Sequence, residues 1–307
     1  MKCVLGFDGG GTKTECVVMN EAGKIAGRAT GPASNPTRVG FPAAIAAVAE
    51  AASLAVRSIA APVEIVAVCA GLAGTGREEN RSRTKQLLEN NFPSGLVDVR
   101  TDLELPLSAM PSGAAIVLVV GTGSAAIGRG IDGVIRRVGG LGPADSDEGS
   151  AFDIGRAAVS AARFEQTTES TELSRQILRH LGHANWDELD SRAAAHADAV
   201  YPRVFPVIAA AADSGNQLAQ SLLRAAAEKL SSMASQLAEE LHLLQQAFPL
   251  GKYGGTIGRS RFFDDALDSQ LLRKLPRATV MALHIDSAAA AARIALQLYL
   301  TPEASKP

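Results

Sequence analysis

The chain has 307 residues, 47% of them hydrophobic and 20% charged, with a formal net charge of −2 and a pI near 6.2. That length suggests about two domains with substantial cores, and the near-neutral balance excludes the basic footprint of a nucleic-acid binder. Only 4% of residues are aromatic, which also argues against base-stacking platforms.

The three cysteines, Cys3, Cys16 and Cys69, lie in separate apolar runs. An odd number without metal-ligand spacing predicts buried thiols in a reducing compartment. The first apolar run breaks at Asp8 and does not read as a leader. No stretch approaches the ~18 apolar residues of a membrane span. A cytoplasmic protein without membrane or nucleic-acid partners is expected.

Residues 3–7 form an apolar strand that delivers Asp8 into Gly9, Gly10 and Gly11, followed by Thr12, Lys13 and Thr14. Glycines let backbone N–H groups approach an anion closely, and a carboxylate at a strand end suits a hydrated cation beside it. Gly6 and Gly11 have the spacing of P-loop glycines, but the Lys-Thr pair comes one place late. Residues 14–19 then read as a strand, where a P-loop would open a helix. The glycines therefore sit in a hairpin, with a ligand-free glycine turn as the competing reading.

The breaker cluster at 31–36 predicts a loop, and a helix is expected over about 42–58. A continuous apolar strand follows at 63–70, of the kind buried on both faces of a parallel sheet. A glycine loop is expected at 71–76, a polar helix at 79–90, and a strand at 96–101 that stops at Asp102. Strand–loop–helix alternation implies an α/β sheet whose ligands lie beyond the strands' carboxyl ends. Asp102 reads either as a group pointing at such a ligand or as the N-cap of a helix over 103–109.

The opening theme then returns. A strand at 114–120 runs into Gly121-Thr122-Gly123-Ser124, followed by strands at 125–129 and 134–138. Strand, small-residue turn, strand, turn, strand thus occurs at 3–28 and again at 114–138, an internal duplication offering two phosphate turns. Gly139-Gly140-Leu141-Gly142 follows, and Asp147 and Glu148 open a helix reaching about 167, as an N-cap or as a hydroxyl-binding loop. Alanine-rich helices are expected at 172–181, 186–196, 204–212 and 218–248, a helical elaboration. His242, on the last of these, and His284 read as surface or packing residues. The third glycine cluster, 251–260, precedes a helix starting near Arg261 and suits either a flat heterocycle or a tight turn. A strand at 277–283 and a helix at 286–299 complete the chain, and the tail from Pro302 reads as loose.

Taken in order, Phe7-Asp8-Gly9-Gly10-Gly11-Thr12-Lys13-Thr14, Thr101-Asp102, Gly121-Thr122-Gly123-Ser124, Gly139-Gly140-Leu141-Gly142, Asp147-Glu148-Gly149-Ser150 and Gly254-Gly255 carry a family resemblance. The chain resembles the N-acetylglucosamine kinase branch of the BadF/BadG/BcrA/BcrD ATPase-like family, within the actin-like superfamily of sugar kinases and heat-shock ATPases. The resemblance implies an α/β fold of two ribonuclease-H-like domains, 1–112 and 113–286, with a cleft between them. It also implies a helical elaboration on the second domain and a last helix, about 287–300, packing back on the first.

By the same resemblance, ATP and Mg²⁺ are the cofactors and Asp8 organises the metal. Gly9, Gly10, Gly11, Thr12 and Lys13 would clasp phosphates together with Gly121, Thr122 and Gly123, although Lys13 also reads as a solvated strand lysine. Gly254 and Gly255 would lie beside the adenosine. Asp102 falls at the family's general base, and Asn35, Gly71, Asp102, Thr122, Gly140, Leu141 and Asp147 fall at or near sugar contacts.

The implied activity is ATP-dependent phosphorylation of an amino-sugar hydroxyl, on N-acetylglucosamine or glucosamine, with a homodimer left open. A redox-enzyme activator ATPase of the same broad family and a non-catalytic sugar sensor are the alternatives. Activators carry cysteines for an iron–sulfur cluster between subunits, which three strand cysteines do not supply. Two departures bear on the sugar: Leu141 stands where the family's hexosamine kinases often carry Trp, and Ser146 where they commonly have Gly.

Overall fold

Strand β1 (Lys2–Gly9) is apolar on both faces and becomes the centre of a five-stranded sheet in the computed structural model, which describes residues 1–142, 147–164 and 168–301. Ser146 and the tail from Pro302 lie outside the described residues. The chain divides into two compact units, Met1–Ala109 with the chain from His284 onward, and Met110–Leu283. Among the described residues no helix is long and apolar enough to cross a membrane.

In the first unit β1, β2 (Thr14–Asn20) and β3 (Ile25–Gly31) form an antiparallel meander. Asn35 then caps a one-turn helix, α1 (Pro36–Val39), which begins at the last residue of the expected loop. Helix α2 (Phe41–Arg57) follows, and β4 (Glu64–Leu72) returns parallel to β1. Helix α3 (Glu78–Asn91) leads to β5 (Leu96–Arg100), parallel to β4, and then to α4 (Glu104–Ser108). The sheet order is β3-β2-β1-β4-β5.

The second unit opens with β6 (Ala115–Val120), β7 (Ser124–Arg129) and β8 (Ile135–Gly139), again an antiparallel meander. A helical block follows: α5 (Ala151–Phe164), α6 (Thr168–Leu181), α7 (Trp186–Val200, broken at His196), α8 (Phe205–Asp213) and α9 (Gln217–Glu240). Then come β9 (Phe248–Tyr253), α10 (Arg261–Lys274) and β10 (Ala278–Ala282). The order β8-β7-β6-β9-β10 repeats that of the first sheet strand for strand. The duplication read in the meanders therefore extends to the whole sheet.

Two expectations are corrected here. The helix expected to reach 248 ends at Glu240: the His242 N–H donates to Glu239 O and the Leu243 N–H to Ala238 O, with His242 at φ 58. That is a left-handed helix stop, so His242 lies in a turn. Residues 248–253, which overlap the expected helix end and the glycine cluster at 251–260, form a strand between β6 and β10. Pro249 and Gly251 disguised it. Pro249 is tolerated because pairing to β6 starts one residue later, at Leu250 with Ile116. At Gly251 a Cβ would stand 2.3 Å from Leu283 Cδ1.

Both faces of β1 are covered. Cys3, Leu5 and Phe7 pack with Val48, Ala51 and Ala55 of α2. Val4 faces the alanines of the final helix, α11 (Ser287–Leu300), with Ala288, Ala291, Ala292 and Ala295 buried. A Cβ at Gly6 would stand 2.1 Å from Ala292 N and 2.3 Å from Ala288 O. Gly6 is thus a packing glycine that lets helix backbone rest on the strand. In the second unit Asp153 ties the start of α5 down: its carboxylate accepts from Gly149 N–H (2.9 Å), Lys229 Nζ (2.8 Å) and Arg156 Nη2 (3.1 Å). Burial alone would raise its pKa, but the Lys229 and Gly149 bonds outweigh burial and hold it below the usual carboxylate range.

Two predictions follow from this packing. Gly6→Val forces α11 off β1 and is expected to lower stability by roughly 3 kcal/mol, read from the urea midpoint. Asp153→Asn is expected to cost about 2 kcal/mol near neutral pH. Because the folded pKa of Asp153 is depressed, its stabilisation is complete above the unfolded pKa, about 3.9, and fades as pH falls through the folded value. Urea titrations from pH 7 down to pH 3 should therefore show wild type and variant converging in acid.

Candidate active site

In the β1–β2 turn the Gly10 carbonyl faces the protein. Gly10 O accepts from Ser34 N–H (3.1 Å) and Asn35 N–H (3.2 Å), and the Gly10 N–H donates to Lys13 O. In a trans peptide the C=O and N–H point opposite ways, so anchoring Gly10 O turns the Gly11 N–H away from Ser34 and Asn35. Thr14 Oγ1 completes the anchor through Ser34 Oγ at 2.7 Å. The three glycines then separate by cause. A Cβ on Gly9 would stand 2.1 Å from Ser34 Oγ, so packing requires that glycine. At Gly11 a Cβ would press only on the Arg38 side chain, and at Gly10 it would meet nothing within 4 Å. Lys13 pairs with Glu15 on the exposed turn.

Strand register places the carboxylates. Asp8 pairs laterally with Gly71 and Gly71 with Arg100, so Asp102 follows two residues beyond that row at the carboxyl end of β5. Burial, then the neighbouring Asp102 and Glu15 carboxylates, push Asp8 up to about 7. A half-buried aspartate beside a second carboxylate is the environment that a bound cation relieves. The helix-cap reading of Asp102 does not hold: the cap position of α4 is Leu103, without a side-chain bond. Glu104 instead reaches back to Thr101 N–H (2.7 Å) and Thr101 Oγ1 (2.9 Å).

Asn35 is a cap: its Oδ1 accepts from Thr37 N–H and Thr37 Oγ1, at 3.0 and 2.7 Å. That engagement directs its carbonyl inward and leaves its amide N–H₂ without a partner among the described residues. Gly74, at φ 88, makes room for Asn35 Oδ1. Gly71 lies inside β4 and not in the expected loop, and a Cβ there would strike Leu105 Cδ1 at 2.4 Å. Packing accounts for that glycine.

The second turn repeats the construction of the first. Gly121 O accepts from Ala151 N–H (3.0 Å) and Thr122 O from Phe152 N–H (3.2 Å), so α5 anchors the carbonyls and the Thr122 and Gly123 N–H groups face the other way. Asp147 is buried behind the turn, and its carboxylate accepts from the Ser124 and Gly142 N–H groups while burial raises its pKa. A Cβ on Gly123 would stand 2.6 Å from Asp147 Oδ2. Asp147 thereby joins the Gly121–Gly123 turn to the loop of Gly140 and Leu141, where Leu141 is 66% exposed. The cap of α5 is Ser150, whose Oγ accepts from Asp153 N–H, which removes the cap reading of Asp147 and Glu148.

Beyond β9 the chain turns at Gly254, φ 123, with Thr256 N–H and Oγ1 both on Val120 O, at 3.2 and 2.8 Å. A Cβ on Gly254 would strike Val120 O at 2.3 Å, whereas Gly255 has open space. The sequence reading missed two supports of this loop. Asp264 accepts the Gly258 N–H (3.0 Å), and buried Lys252 pairs with Asp268 at 2.5 Å. Both signals are single charged residues at helical or strand spacing, which read as surface.

Over 95% of its length the chain is 27% identical to N-acetyl-D-glucosamine kinase of Dictyostelium discoideum, covering 97% of that protein. It is also 27% identical, over 96% of its length, to N-acetylmuramic acid/N-acetylglucosamine kinase of Clostridium acetobutylicum, covering 98% of that protein. A crystal structure from Chromobacterium violaceum, provisionally described as an N-acetylglucosamine kinase, superposes with a TM-score of 0.78 at 23% identity, covering 97% of this chain and 99% of the other. A ROK family glucokinase from Streptomyces griseus, in complex with glucose and AMPPNP, superposes at 0.65 and 20% identity, covering 96% and 99%. Both units are ribonuclease-H-like, as in actin-like ATPases. Because residues 5–292 match the family model, from within the first strand into the last helix, the chain belongs to the BadF/BadG/BcrA/BcrD ATPase family.

Proposed function

We propose that the protein is an ATP-dependent kinase acting on a hydroxyl of an N-acetylated amino sugar, with Asp102 as the general base. The observation that carries this reading is the pair of similar turns, in which anchored carbonyls turn the Gly11 N–H of one and the Thr122 and Gly123 N–H groups of the other away from their anchors, the first turn lying beside the Asp8–Asp102 carboxylates. The turns of Gly9–Lys13 and Gly121–Gly123 take phosphate oxygens, and Gly254 and Gly255 take the adenosine. Asn35, through its amide N–H₂, together with Asp147 and the backbone of Gly71 and Gly140, takes sugar hydroxyls. The names of both curated relatives favour N-acetylglucosamine over free glucosamine.

Phosphoryl transfer asks for positioning, charge neutralisation and a proton acceptor. The sugar oxygen bonds to the γ-phosphorus, the bond from that phosphorus to the ADP oxygen breaks, and the hydroxyl proton passes to the Asp102 carboxylate. Asp8 is the residue for Mg²⁺, which when bound neutralises phosphate charge. Among the described residues no group of three or more His, Cys, Asp or Glu forms a metal cage. Magnesium does not need one, being held by one or two carboxylates, water and phosphate oxygens. The activator alternative is disfavoured because Cys3, Cys16 and Cys69 are wholly buried within sheet packing.

Sugar-dependent ADP release, measured with N-acetylglucosamine, glucosamine, glucose and N-acetylmannosamine, is expected to be greatest with the first; release with none of them sinks the proposal. Asp102→Asn should lower kcat by about 10²- to 10⁴-fold while ATP still binds. Gly10→Val tests the cradle separately. The fold has open space there, so thermal stability should hold while phosphate binding, read as KM for ATP, deteriorates. Unchanged ATP kinetics in that variant would remove the turn from the site.

A further inference from the structure

The geometry points to Arg81 and Glu104 as positioning residues that fix Asp102 for proton transfer, an inference that rests on the kinase reading above. Asp102 lies between Thr101 and Glu104, in the corner where β5 passes into α4. One carboxylate oxygen, Glu104 Oε2, accepts from the Thr101 N–H at 2.7 Å, from Thr101 Oγ1 at 2.9 Å and from Arg81 Nη2 at 2.9 Å. The Glu104 side chain is only 12% exposed, so the Arg81 charge is what makes its burial tolerable. The residue preceding Asp102 is thus held by both its N–H and its hydroxyl.

The carbonyl before that is held as well. Thr75 Oγ1 lies 2.9 Å from Arg100 O and 2.7 Å from Leu72 O, stapling the ends of β4 and β5 together. Helix α3 supplies the remaining link through adjacent residues of its first turn. Asn80 Nδ2 donates to Gly74 O at 3.0 Å, and Gly74 is the glycine against which Asn35 Oδ1 rests. Arg81, the next residue, holds Glu104. One helical turn therefore ties the Asn35 loop to the Asp102 corner, so that a sugar bound at Asn35 meets a base already in place. Misplacing a catalytic group by about 1 Å can cost on the order of 10²-fold in rate, which sets the effect expected from loosening the corner.

The test is steady-state kinetics of Glu104→Gln and Arg81→Gln with the sugar that wild type turns over best. Each variant should lose about 10- to 100-fold in kcat, with KM for ATP within about twofold of wild type. Arg81→Lys, which keeps the charge, should recover part of the loss. In an Asp102→Asn background Glu104→Gln should add little further loss, because the two act through the same carboxylate. If Glu104→Gln does not fold, Arg81→Gln, whose side chain is one-third exposed, carries the same expectation. Wild-type kcat in a folded Arg81→Gln or Glu104→Gln, or a full additional loss in the Asp102→Asn background, overturns the inference and leaves the kinase reading standing. Absence of sugar-dependent turnover in wild type overturns the kinase reading, and the inference with it.

Discussion

The burial of β1 on both faces is the constraint from which the first unit follows. With α2 on one side and α11 on the other, the faces of the strand are closed, and Asp8 and the glycines stand at its carboxyl end. Dense packing leaves no slack at Gly6, where a helix backbone takes the volume a side chain would need. The parallel strands β4 and β5 end in register with β1. The candidate site residues of this unit, Asp8, Gly71 and Asp102, are therefore gathered at one edge of the sheet.

The second unit keeps the same backbone plan and changes its electrostatics. Its central strand ends in Val120 where the first ends in Asp8-Gly9, so no carboxylate stands at the strand end. The acidic group there is Asp147, set behind the turn, where backbone N–H groups from Ser124 and Gly142 satisfy it. One plan thus yields a turn beside repelling carboxylates, which suits a cation, and a turn supported by an internally satisfied carboxylate, which suits an anion alone.

Much of this was legible residue by residue. Strands whose two faces are both apolar, such as β1 and β4, announce themselves as continuous runs, and a glycine–hydroxyl turn between two such runs reads as a hairpin. Strand β9 was hidden because Pro249 and Gly251 carry the signature of a loop, and only pairing from both neighbours makes them a strand. The end of α9 was hidden for a related reason: His242 takes a left-handed conformation that glycine usually supplies. The cap readings of Asp102 and Asp147 stayed open in the sequence because an aspartate before a helix looks the same whether it caps or not. Hydrogen bonds by Glu104 and Ser150 decided both.

The sequence by itself determined the class of fold, the duplicated meander and the residue types at the two turns, because strand periodicity and glycine clustering are local properties. Only the tertiary structure decided which glycines are there for packing and which leave room for a ligand. Gly6, Gly9 and Gly123 are fixed by atoms from distant parts of the chain, while Gly10 and Gly255 face open space. A glycine's missing side chain has the same appearance in sequence whichever cause applies, and the neighbours that distinguish the two exist only after folding.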